Sequence, residues 1–159
     1  MELTQNELNE RVAVLKRFRR LLEEQRAKFA QYLKVLELQE NGIENEDTDA
    51  LIAHTELETQ IVSNIHSLKK VIMPLESLYN SYRTTFSPNE AVPVTDIQNE
   101  LEVLQKKVLA QNEKNRELLK THMNTLRVQI QNFRNPYKSA RSVYAKNTAT
   151  AGTRIAIEV

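Results

Sequence analysis

The sequence predicts an all-α protein: three long antiparallel helices in an elongated coiled-coil-like bundle, followed by an extended C-terminal tail. Three observations carry that prediction. Only 2 Gly and 4 Pro occur among 159 residues, so the chain has few places to turn. Charged residues make up 27% against 40% apolar, with 6% aromatic and no Trp, a balance that suits helices packed through narrow stripes better than a deep globular core. Apolar residues recur at steps of three, four and seven along most of the length, which is the spacing of a heptad seam. On this reading residues 1–135 form the helical bundle, with helices at about 4–40, 47–86 and 96–134, and residues 136–159 form a flexible basic tail.

The first helix carries its seam on Leu8, Val12, Leu15, Leu22, Phe29, Leu33 and Leu36. Val14, Phe18, Leu21, Tyr32 and Val35 widen the stripe, which predicts contact with more than one neighbour. Arg19 and Arg26 fall on seam positions, where their aliphatic stems can cover the edge while the charged heads reach water. Asn41-Gly42 is expected to close the helix, since glycine accepts the left-handed conformation common at helix ends. The run Arg17-Phe18-Arg19-Arg20 has the composition of a phosphate-binding patch. Glu23 and Glu24 come one turn later, however, and favour a solvated, internally paired face.

Residues 44–49 are acidic and short-chained and read as a turn, with Asn45 or Asp47 capping the next helix. The second seam runs through Leu51, Ile61, Ile65, Leu68, Ile72, Leu75, Tyr79, Tyr82 and Phe86. So short a connection predicts an antiparallel hairpin with the first helix. Pro74 lies inside this pattern, and because the seam continues beyond it, a kink is expected and not a stop. His54 and Glu58 lie one turn apart. A metal needs three or four converging ligands, and His66 and His122 are isolated, so neither metal nor cofactor is expected.

Residues 87–94 contain two prolines and read as a loop, ended by a capping box at Thr95 and Gln98. The third seam keeps Ile97, Leu101, Leu104 and Val108, then meets Asn112 and Asn115, and resumes at Leu119, Met123, Leu126, Ile130 and Phe133. The step of eleven from Val108 to Leu119 is a stutter that unwinds a supercoil locally. Asn112 and Asn115 therefore set register between helices or mark a pivot. Asn135-Pro136 is expected to stop the helix. Beyond it Lys138, Arg141, Lys146 and Arg154 are nearly unopposed by acids, and Ser142-Val143-Tyr144-Ala145 and Arg154–Val159 stand out as short linear motifs.

Net charge is +1, which argues against nucleic-acid binding through bulk electrostatics. With no Cys, disulfides and thiolate metal sites are excluded. The first eighteen residues carry charge throughout and lack the apolar stretch of a signal peptide, and no apolar run approaches bilayer thickness. A soluble cytoplasmic protein without membrane insertion is expected. No nucleophile motif or phosphate loop is visible, so an enzyme is not expected. Partner binding through helical surfaces remains. The main competitor is a structural, self-associating coiled-coil adaptor or spacer that uses the same seams.

The pattern Asn112-x-x-Asn115-x-x-Leu118-Leu119 in a third long helix, followed by Asn135-Pro136-Tyr137 and Ser142-Val143-Tyr144-Ala145, looks like the FlgN-type flagellar export chaperones. The acidic turn before Leu51, leading into a helix with Glu56 and Glu58, is similar too. The resemblance implies a cytoplasmic chaperone of flagellar type III export. Such a protein holds hook-filament junction (hook-associated) proteins by their C-terminal amphipathic helices and docks on the cytoplasmic domain of the export gate. Client binding would fall on Leu118, Leu119, Met123, Leu126, Ile130, Phe133 and Tyr137, with a homodimer as the client-free alternative. Gate docking would fall on Tyr144 with Val143, and Tyr137 is a competing candidate for the tyrosine.

Overall fold

The computed structural model describes residues 2–145, with side chains through residue 132. Three helices succeed one another: α1 (Gln5–Glu44), α2 (Thr48–Tyr82) and α3 (Pro88–Ala145), with a 3₁₀ turn at Arg83–Thr85 between the last two. The architecture is an all-α bundle with no strand among the described residues. The chain divides into two units, Met1–Leu118 and Leu119–Val159, so the second begins inside α3.

α1 opens on a reciprocal capping box. The Thr4 hydroxyl accepts from the Glu7 amide at 3.3 Å, and the Glu7 carboxylate accepts from the Thr4 amide at 2.8 Å. Two of the amides that a helix start leaves without partners are thereby satisfied. The other end departs from expectation. Gly42 stays helical and α1 continues to Glu44; the left-handed residue is Glu46, at φ 53°. The Asp47 amide donates to Gly42 O and the Glu46 amide to Ile43 O, which closes the helix in a Schellman pattern. Gly42 serves packing instead of backbone freedom. A Cβ there would stand 3.1 Å from Leu51 Cδ2, so its absence lets α2 come close at the tip of the hairpin.

Asp47 caps α2, its carboxylate accepting from the Ala50 amide at 3.1 Å. The helix runs on through Pro74 without a break. Pro74 and Lys70 both lie at exposed positions, and the proline withholds the donor that the Lys70 carbonyl would otherwise meet. Regular helix ends at Tyr82, earlier than the expected residue 86, and Phe86 turns back to stack on Tyr79, ring centroids 5.5 Å apart.

The start of α3 corrects the reading of 87–94 as a loop. Pro88 is the first helical residue, where its missing amide costs nothing, and the Glu90 carboxylate accepts from the Ser87 amide at 2.8 Å. Thr95 is no cap; its hydroxyl donates to the Ala91 carbonyl one turn back, inside the helix. The earlier start adds Val94, fully buried, to the apolar face. The other end corrects the stop at residue 134 and the tail from residue 136, because the backbone of α3 stays helical to Ala145. An interior proline removes one hydrogen bond, and residues 137–145 contain no Gly or second Pro to end the helix. The remainder of the expected tail, 146–159, lies outside the described residues.

The core of the first unit gathers Leu15, Phe18, Leu21 and Leu22 of α1, Ile72 and Tyr79 of α2, and Val94, Ile97 and Leu101 of α3. Phe29, Leu68, Leu75 and Phe86 pack around it. Phe18 and Leu21, expected only to widen the stripe, are central, whereas Leu8 and Val12 of the expected seam are exposed. Phe18 also splits the basic run, leaving Arg17, Arg19 and Arg20 on the surface, with Arg19 paired to Glu23 at 3.4 Å. α1 and α2 are antiparallel: Phe18 meets Tyr79, Gln39 meets Glu58 and Gly42 meets Leu51. α3 runs alongside α1 in the same direction, Arg26 pairing with Glu100 and Leu36 meeting Asn115.

Candidate functional site

Along α3 the seam changes character at the two asparagines. Val94, Ile97, Leu101 and Val108 are buried and Leu104 is half-buried. Asn115 comes next, 5% exposed, with its Nδ2 donating to the Leu36 carbonyl of α1 at 2.7 Å. Gln111 Nε2 donates both to Asn115 Oδ1 at 2.9 Å and to Glu40 Oε2 at 2.6 Å. Lys114 Nζ approaches the other oxygen of Glu40 at 2.5 Å. Hydrogen bonds from Lys114 and Gln111 hold the Glu40 carboxyl below its ordinary 4.5, and the same bond to Glu40 raises Lys114 above 10.5. A buried amide bonded to one carbonyl of a neighbouring helix fits a single axial register, since a shift by one residue would strand it. Asn112 is half-buried beside this cluster. The sequence named Asn112 and Asn115; Gln111, Lys114 and Glu40 escaped notice because surface polar residues on separate helices show no pairing until the helices are docked.

The second unit carries the expected binding stripe. Leu118, the last residue of the first unit, is half-buried. Leu119, Met123, Leu126 and Ile130 then step by four, three and four along the helix and are 44–56% exposed. These steps place all four on one face of α3, and the chain keeps a narrow apolar seam in water. Val128 is exposed as well, off that line. Lys120, Thr121, His122, Asn124, Thr125, Arg127, Gln129, Gln131 and Asn132 complete the turns. Of the other predicted site residues, Phe133, Tyr137, Val143 and Tyr144 lie on helical backbone, and their side chains fall outside the described residues.

His54 and Glu58, one turn apart on α2, are not joined by a hydrogen bond: Glu58 is engaged by α1. Glu58 accepts from Tyr32 Oη at 3.1 Å and from Gln39 Nε2 at 2.5 Å, which occupies both of its oxygens. Among the described residues no three His, Asp or Glu side chains converge as a metal centre requires. Burial first, then the Glu58 charge and hydrogen bond, push the Tyr32 phenol up from 10.0 to about 12. A raised folded-state value means stability fully present below the unfolded value and lost as pH rises from 10.0 through about 12. Tyr32→Phe is therefore expected to flatten that part of the alkaline decline, read as the urea midpoint against pH; an unchanged slope would show that the phenol is not linked to folding.

Between α1 and α2 lies a groove of about 460 Å³, floored by Val35 and Ile61, walled by Leu38 and Leu57, and flanked by Lys28 and Lys34. Nothing in the sequence signals it, because Leu38 and Leu57 stand off both heptad seams and their approach depends on how the hairpin closes. No helix among the described residues is long and apolar enough to cross a membrane.

No family model matches the chain, and no solved structure matches it. An uncharacterized protein of Treponema pallidum (strain Nichols) is 37% identical over 132 residues, which cover 83% of this chain and 82% of that protein.

Proposed function

We propose that this chain, which belongs to the family it shares with the Treponema protein, is a cytoplasmic chaperone of flagellar type III export that holds the amphipathic helix of a hook-associated client. The observation that carries the reading is the exposed seam Leu119, Met123, Leu126 and Ile130. A row of half-exposed apolar side chains at heptad spacing has the form of a helix-in-groove docking surface. Met123 in its middle adapts to different partner side chains because its unbranched thioether repacks at little cost. The work required is masking, which needs geometry and affinity and no chemistry.

In this reading Leu118, Phe133 and Tyr137 extend the client seam at either end. Tyr144 and Val143 serve docking to the cytoplasmic domain of the export gate. Asn115, fixed to Leu36, separates the part of α3 that holds the bundle from the part that holds the client.

The test is binding of purified hook-associated proteins to the Leu119→Asp plus Met123→Asp variant. Two carboxylates set into an apolar contact face their desolvation cost only when the client binds. Affinity is expected to fall at least about tenfold, with helicity by circular dichroism unchanged. Tyr144→Ala in the same assay is expected to keep client affinity and to weaken pull-down of the gate domain. Wild-type client affinity in the helical double variant would end the proposal.

A further inference from the structure

The charges of this chain are sorted along its length. Residues 1–118 contain 15 Lys and Arg against 20 Asp and Glu, while residues 119–159 contain 7 against 1. The single acid of the second unit is Glu158, so forty consecutive residues from 118 to 157 hold no carboxylate side chain. A near-neutral whole conceals a mildly acidic bundle and a strongly basic second unit.

The cations are also placed. With Leu119 and Leu126 at one seam position and Met123 and Ile130 at the other, Lys120 and Arg127 each directly succeed the first kind of position. Arg134 and Arg141 repeat the same interval of seven, on backbone that is helical to Ala145. Lys120 and Arg127 are exposed. In a two-helix seam the residues beside the apolar positions meet the partner's flanking residues and decide which partner pairs and in which orientation. One flank of this seam therefore presents a cation every second turn. The opposite flank offers His122 and Gln129, and no acid.

We infer that the occupant of the seam is an amphipathic helix whose own apolar stripe is flanked by Asp or Glu. The inference rests on the client-docking reading and adds the chemistry of the client. It also separates that client from a second copy of the chain. Two copies of this segment, aligned antiparallel, bring one cationic flank against the other; aligned parallel, they bring it against His122, Gln129 and their successors. Neither arrangement supplies a carboxylate. A lipid surface is disfavoured by the width of the stripe. Two apolar positions per heptad, bordered by Lys120 and Arg127 on one side and by His122 and Gln129 on the other, with Asn124, Thr125, Gln131 and Asn132 beyond them, make a seam for one helix, whereas a helix lying in a bilayer interface buries a broad apolar face.

The full chain is titrated with two synthetic four-heptad amphipathic peptides that share one Leu seam, one carrying Glu at both flanks and the other Lys. At low salt the Glu peptide is expected to bind at least about tenfold more tightly, with the gap shrinking as salt screens the flanks. Lys120→Glu plus Arg127→Glu, both at exposed positions, is expected to reverse the preference. Equal affinity for both peptides, lost in the Leu119→Asp plus Met123→Asp variant, would overturn the charge inference and leave the docking reading standing. Failure of both peptides to bind would overturn the docking reading itself. Tighter binding to phosphatidylserine vesicles than to the Glu peptide would make the surface a lipid contact and overturn the inference. Micromolar dimerisation in analytical ultracentrifugation that disappears in the Leu119→Asp plus Met123→Asp variant would do the same in favour of a second copy.

Discussion

Phe18→Ala is expected to destabilise the protein by about 4 kcal/mol, read as the shift of a urea unfolding curve at constant slope. Phe18 is 1% exposed and lies at the centre of the cluster that joins all three helices. Its ring tilts against Tyr79 at 46° with centroids 5.0 Å apart, and Tyr79 in turn stacks on Phe86. Truncation removes the buried ring, leaves a cavity lined by parts of three long helices that can collapse only partially, and unseats the Tyr79 contact. A loss of that size is a large share of the roughly 5–15 kcal/mol that holds a domain folded. Leu126→Ala supplies the contrast. Leu126 is 56% exposed in the second unit, and its truncation is expected to shift stability by no more than about 0.5 kcal/mol. Equal losses at the two positions would mean that the seam of the second unit is structural core and not a surface kept for a partner.

Asn115→Asp is expected to cost about 3 kcal/mol in the same measurement. The substitution is isosteric, so packing is conserved and the electrostatic effect is isolated. The Nδ2 donor to Leu36 O is replaced by a carboxylate oxygen facing a carbonyl oxygen, at a position 5% exposed and close to the Glu40 carboxylate, to which Gln111 links it. Asn115→Leu is expected to cost only about 1 kcal/mol. The Leu36 carbonyl keeps its partner within α1, and Gln111 keeps Glu40, so few polar groups are stranded. No loss of stability in Asn115→Asp would show that the site responds to shape alone, and that its hydrogen bonds do not fix the register of α3 on α1.

Much of the fold is legible in the residues, and the misses share a cause. The heptad steps place three helices, and the acidic run at 44–49 places the turn with Asn45 or Asp47 as the cap, of which Asp47 is the one that bonds. Gly42 misleads because glycine signals both a left-handed backbone and close packing, and only the position of Leu51 shows which applies. Residues 87–94 mislead because proline both ends helices and begins them. The Ser87 to Glu90 spacing is the available signal for a start. At Pro136 local preference opposes continuation, since the ring removes one hydrogen bond and crowds the carbonyl of residue 132, yet the backbone stays helical to Ala145. For the candidate site, the sequence contains the seam from Leu119 to Ile130 and the basic character of the residues beyond it.

The sequence by itself determined the periodicity of every helix, the polar interruption at Asn112 and Asn115, and the sorting of charge between the two units, because spacing and charge are properties of the covalent chain. Tertiary structure alone decided which apolar stripes are consumed by the core. Two seams with similar steps, Ile97 to Val108 and Leu119 to Ile130, differ in burial: the first is buried or nearly so and the second is about half exposed. Periodicity shows that a face is apolar, but burial is set by the neighbours that cover it, and these are fixed by how the helices close on one another.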